Sequence, residues 1–451
     1  MSELKLTEIE SAAKDYILNL MLNGLKPSQP CDNSFDDEDF ALPKWYDEKL
    51  YKRGQRYFQN NRSGIMMSNL YGLFSLISEP SGAKLLDRTG MSSTSDTAKK
   101  RYVSTTLHML SWYQVELKPG SKSWESMKRV RKMHLHASRS AERNKLGMIS
   151  QCAMAMTKFG FMGYALVRPH LLGIQHDDKE DREAFVHLWA VIGYMLGIKD
   201  EFNMCLKPLE VVEIICRLFI RYAFIAFLQF DTPTFKKLGE AFIDGMKYFV
   251  PFSSFESRLF LARRLAGIPG YQYDVDMSKE FFHRQIFNKE EFKMLEENFQ
   301  NVPGFEYRRK MVFNDKMNLL DVKRIDQKKN EHEKNEILLD NMDENQNIFG
   351  YYMRIDDANG NNIHDDVEPL LEIFDLKHPS ELSITQVDEN NIQLYLNDHK
   401  FKTLSSKDQW LVKAGINHVN MITNKFARPF YEAGFSVVLY LMEKYHGEQN
   451  K

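Results

Sequence analysis

The chain has 451 residues and a mass of 53.0 kDa, room for two or three domains. Charged residues make up 27% and hydrophobic ones 43%, which excludes a wholly disordered chain, and a net charge of −2 excludes a chain-wide nucleic-acid binder. Four cysteines, Cys31, Cys152, Cys205 and Cys216, are too few and too scattered for a disulfide framework or a paired-cysteine zinc site, and fit a reducing compartment.

In chain order, Met1–Glu8 is charged and lacks the apolar core of a secretory signal, which points to the cytoplasm. Residues 1–39 read as one helix, Thr7–Leu22, followed by the acidic loop Asp32–Asp39. Residues 40–270 read as successive helices. Asp96–Trp112, Trp124–Arg139, Gly147–Val167, Asp181–Leu196 and Leu209–Phe230 all place apolar residues at helical spacing. Val211–Phe230 is the most apolar stretch, but it carries Glu213, Arg217 and Arg221. Each charge at a bilayer centre costs about 2.5–3.5 kcal/mol, so a buried amphipathic helix is expected there rather than a membrane span.

Residues 271–451 are acidic, Asn-rich and weakly periodic, with a solvated stretch at Lys328–Glu344 and a strand at Asn391–Leu396. Gln409–Lys425 and Tyr431–Tyr445 read as closing helices. This region holds 23 basic and 32 acidic residues, a net −9, against a net +7 before residue 271. The asymmetry and the turn at Gly267–Gly270 divide the chain into 1–39, 40–270 and 271–451. A core ending near 270 is expected to fold without the tail.

Two helices carry residues suited to chemistry. Val130, Met133, His134 and Ala137 share one face, with Arg131 three residues before His134 and His136 turned toward a polar surface. An inward His beside an Arg needs partners, so His134 is either a hydrogen-bonded core residue or a ligand. On the preceding helix Arg101, Thr105, His108 and Trp112 share a face that could line a polar pocket, which makes His108 the rival metal ligand. Asp177, Asp178 and Asp181 form a DDxxD pattern of the kind that holds magnesium on a diphosphate. The companion motif fails, because Asn318 and Val322 follow Asn314-Asp315 at its hydroxyl and Glu positions. An acidic loop at a helix N-terminus is the simpler reading. The basic run Lys128–Lys132 reads as a solvated helix edge. There is no GxGxxG, P-loop, GxSxG or HExxH.

Three segments occur in one order: Arg101–Thr105, Arg131-Lys132-Met133-His134, and Phe185–Ile198 with its His187 and Trp189. Together they resemble the rubber-oxygenase family, which includes latex clearing proteins and the endoplasmic-reticulum-bound oxygenase of mycophenolic acid biosynthesis. The likeness covers Leu70–Leu206, and more loosely Leu42–Gly270. It implies a mainly α, globin-like core holding heme b, followed here by an acidic, mixed C-terminal region. It implies an oxygenase that uses dioxygen to cleave carbon–carbon double bonds of an isoprenoid or unsaturated lipid. In that likeness His134 is the axial iron ligand and Arg131 its partner, while Arg101, Thr105 and Thr157 belong to the distal pocket. Ser104 stands where the family has Lys. His187 and Trp189 support the core. An apolar small-molecule substrate and dioxygen are the implied partners, and a peripheral membrane contact is compatible with them. A heme- or lipid-binding protein without turnover is the alternative from another class; a magnesium-dependent isoprenoid diphosphate synthase is the third.

Overall fold

The computed structural model describes residues 6–25, 40–144, 148–175, 178–229, 232–268, 271, 286–288, 290–291, 294, 400–424 and 426–449. The expected strand at 391–396, the solvated stretch at 328–344 and the motif at 314–322 lie outside these residues. All regular elements described are helical, so the mainly α class read from the sequence holds.

The elements are α1 (Glu8–Leu22), α2 (Glu48–Asn60), α3 (Arg62–Ser78), α4 (Pro80–Arg88), α5 (Ser95–Gln114), α6 (Lys122–Arg143) and α7 (Gln151–Val167). They continue with α8 (Lys179–Met195), α9 (Leu209–Phe219), a π-helical turn (Ile220–Phe224), α10 (Ile225–Gln229), α11 (Pro233–Met246) and α12 (Phe255–Ala266). The last two are α13 (Ser406–Thr423) and α14 (Arg428–Gln449).

Side chains stop the N-terminal N–H groups of these helices from going unsatisfied. Thr7 and Glu10 form a reciprocal capping box on α1, Thr94 and Thr97 on α5, and Ser254 and Ser257 on α12. Ser121 caps α6 by accepting from Trp124 N, and Ser150 caps α7 by accepting from Ala153 N. The helix expected over Leu209–Phe230 is interrupted: at Ile220 the α pattern gives way to a wider π turn carrying Arg221.

Two pairs of glycine-bearing helices make the tightest crossings. A Cβ on Gly72 of α3 would lie 1.8 Å from the Gly160 carbonyl oxygen of α7, so the two backbones touch. A Cβ on Gly54 of α2 would lie 2.4 Å from the Ala184 carbonyl oxygen of α8. Aromatic residues fill the space around these crossings. Phe58 and Tyr113 stack at 3.9 Å, and buried Trp189 donates from Nε1 to Tyr113 Oη at 3.1 Å. At the other end, the Tyr102 ring meets Phe242 edge-on at 4.8 Å, joining α5 to α11.

The closing helices return to this core. On α13, Val412 and Ile422 are buried, and a Cβ on Gly415 would meet Leu261 of α12 at 2.6 Å. On α14, Glu432 accepts from Arg62 Nη2 at 2.7 Å, Arg62 Nε at 3.0 Å and Ser63 Oγ at 2.9 Å. Ser254 Oγ donates to Asp408 at 2.6 Å. Among the described residues no helix is long and apolar enough to cross a membrane.

Candidate functional site

A cavity of about 1640 Å³ opens between α5, α6 and α7, with further wall from α3, α4, α8 and the end of α14. Leu76, Met109, Trp112, Phe161, Trp189 and Ile192 give it a largely apolar lining. It exceeds the roughly 300–1,000 Å³ usual for small-molecule sites, room for a large planar group and a chain beside it.

The cavity gathers most of the residues singled out from the sequence. Arg101, Ser104, Thr105, His108, His134 and Thr157 all line it. Arg131 does not: it lies one turn before His134, half-buried and outside the lining. His136, expected on the outer surface, is exposed as predicted but also reaches the cavity wall.

The helix face holding His134 needs correction. Val130, Met133, His134 and Ala137 were expected to pack inward against the core. Met133 is instead 54% exposed, and the buried side of α6 is Trp124, Met127, Leu135, Ser138 and Ala141. The apolar stripe looks into the cavity, and the packed core lies on the neighbouring stripe. His134 sits between the two, half-buried, with its Nδ1 atom sealed from solvent.

The two threonines face the cavity with their hydroxyl hydrogens already engaged. Thr105 Oγ1 donates to the Arg101 carbonyl at 3.0 Å and Thr157 Oγ1 to the Ala153 carbonyl at 2.8 Å, both back-bonds within one helix. What each offers the cavity is a lone pair. Arg101 makes no ion pair among the described residues, so its guanidinium is the available donor on this face.

His108 is held more firmly. Its Nδ1 lies 2.8 Å from Ser126 Oγ, which also accepts from Trp112 Nε1 at 2.9 Å. Burial, then Arg129 and His446, push its pKa below the ordinary histidine value. Lys158 is a cavity residue that periodicity did not single out. It is fully buried, donates to Asn203 Oδ1, and desolvation lowers its pKa. A lone Lys in the apolar run Gln151–Val167 was the available signal. Tyr445 and His446 of α14 also line the cavity, and no local pattern links them to residues more than 300 positions earlier.

His187 lies away from the cavity. Its Nε2 accepts from Asp47 N at 3.2 Å, and its ring packs edge-on against Trp45. In the DDxxD pattern, Asp177 is outside the described residues and Asp181 accepts from Arg53 Nε at 2.5 Å. Among the described residues no group of three or more His, Cys, Asp or Glu side chains gathers as a metal site.

Residues 55–203 match the family model described as ER-bound oxygenase mpaB/B′/rubber oxygenase, catalytic domain. The matched segment contains Arg101, Thr105, Arg131, His134 and Thr157. No curated protein matches the chain. Among solved structures, that of latex clearing protein LCP in the closed state is similar, at 16% identity over 68% of this chain and 88% of that one, with a TM-score of 0.38.

Proposed function

From a rubber-oxygenase-type catalytic segment at residues 55–203, a family of oxygenases, we propose that the chain is a heme-dependent oxygenase. It would cleave or oxidise a carbon–carbon double bond of an isoprenoid or unsaturated lipid with dioxygen. The observation that carries this reading is that His134, Arg101, Thr105 and Thr157, all within the matched segment, line one large apolar cavity.

The residues present fit a heme. An imidazole suits heme iron, and His134 is at the cavity wall with Val130 and Ala137 flanking it one turn away on each side. Seven Lys or Arg side chains line the cavity against two acids, Glu79 and Glu125, which suits a group bearing propionates. Bound heme would supply activation of dioxygen at iron. The chain's own part is to hold, orient and shield. His134 would hold the cofactor, and Arg131, one turn before it, would serve as a positioning residue. Arg101 would present its guanidinium donors to the reacting end of the cavity, while Trp112, Phe161 and Trp189 would keep water from the chain of the substrate. Ser104, in place of the family Lys, brings no amine to this face.

The alternative is heme or lipid binding without turnover, and the back-bonded hydroxyls of Thr105 and Thr157 favour it. Oxygen uptake with squalene as the isoprenoid, together with detection of carbonyl fragments, separates the two. Uptake with aldehyde or ketone products supports the oxygenase; a heme-loaded protein inert to a range of isoprenoids and unsaturated lipids supports the alternative.

A further inference from the structure

One end of the cavity is built differently from the rest. His108 from α5, Arg129 from α6 and His446 from α14 all line it, three helices contributing one nitrogen-bearing side chain each. Arg129 and His446 act electrostatically on His108 together, and no carboxylate is among the groups that do. Glu125, one turn before Arg129, makes no ion pair with it, and Arg129 makes none with any other described acid. The nearby cation–π contact of Lys99 with Tyr445, 4.1 Å to the ring centroid, ties α14 to α5 beside this corner.

The hydrogen bonds orient His108 for a ligand. Trp112 can only donate, so Ser126 Oγ accepts from it, and the same hydroxyl holds His108 Nδ1 at 2.8 Å. With Nδ1 engaged by Ser126, Nε2 is the ring nitrogen left for a ligand. That nitrogen and the exposed Arg129 guanidinium line the same cavity, beside a lining that is otherwise largely apolar. Such a corner suits a carboxylate, since charge-assisted bonds to an anion are the strong ones.

We propose that the His108–Arg129–His446 corner binds the carboxylate of an unsaturated lipid acid whose hydrocarbon chain runs into the apolar part of the cavity. This rests on the cavity being the substrate site of the oxygenase proposed above, and it narrows the substrate from an apolar chain to an amphipathic anionic one. A heme propionate is the other source of the same chemistry.

Titration of the full-length protein, as purified, with oleate and with methyl oleate tests it, because the two share a chain and a double bond and differ in charge. Oleate should bind at least about tenfold more tightly. Arg129→Gln and His108→Gln should each erase most of that preference and leave methyl oleate affinity unchanged. Equal binding of both probes to the unaltered protein, or a preference that survives Arg129→Gln, overturns the proposal. If Arg129→Gln lowers heme content while the oleate preference persists, the corner belongs to a propionate and the substrate assignment falls. A protein that takes up no heme when supplied with it, yet still prefers oleate, would sink the oxygenase reading and leave the headgroup site standing.

Discussion

Thr105 shows how a residue of the right type at the right place can still contribute little. It lies on the cavity wall one turn after Arg101, but its hydroxyl hydrogen is held by the Arg101 carbonyl. A preorganised donor to an oxygen anion is worth about 10²–10³ in rate. Thr105→Val should fall well short of that, and Arg101→Ala should cost more; oxygen uptake on both variants at equal heme loading decides it, and a larger loss for Thr105→Val would show that the hydroxyl reorients. His418 makes a separate statement about pH. Burial and Arg258 push its pKa down to about 4, and its ring packs edge-on against Tyr431. An unfolded histidine titrates near 6.5. Between those values the unfolded chain binds the extra proton, so the stabilisation is complete above about pH 6.5 and is lost as pH falls toward 4. The loss is at most about 3 kcal/mol, at about 1.4 kcal/mol per unit. Urea midpoints of His418→Gln should therefore change less between pH 7 and 4.5 than those of the unaltered protein; an identical pH slope would remove His418 from the account.

At the scale of elements, the Gly72–Gly160 crossing sets how closely α3 and α7 approach, and α7 carries Thr157 and Lys158 to the cavity. Gly72→Ala puts a methyl group against the Gly160 carbonyl and should destabilise the fold by about 1–3 kcal/mol, the usual cost of overpacking. A shift of the urea midpoint measures it, and an unchanged midpoint would mean the helices separate without cost. Helices with an apolar stripe were legible in the sequence: α1, α5, α6, α8 and α13 lie within a few residues of their expected spans. α3 was not singled out, because Ser63, Gly64, Ser68, Gly72 and Ser75 are buried alongside its apolar residues and leave no stripe. The π turn at Ile220–Phe224 was hidden because a widened turn leaves an apolar run apolar. On α6 the periodicity located the right stripe, but it could not say whether a packed core or a cavity lay opposite.

For the whole molecule, the charge break near residue 270 is real in sequence, yet the chain comes back. Charge records what faces solvent, whereas Leu411, Val412, Gly415 and Ile422, at helical spacing, decide where α13 docks. With Arg62 and Ser63 joined to Glu432, and Tyr445 and His446 in the cavity wall, the end of the chain completes the site. A chain ending at residue 270, expected from composition to stand alone, should melt several degrees lower than the full chain and bind a dye for exposed apolar surface; equal melting would restore the independent core. His134 is the residue proposed to hold the cofactor. The most direct test is the Soret absorbance and iron content of the unaltered protein beside His134→Ala, His136→Ala and His108→Ala. Stoichiometric heme in the unaltered protein, lost in His134→Ala and retained in the other two, is the predicted result; loss in His108→Ala alone, or no Soret band in any preparation supplied with heme, would contradict it.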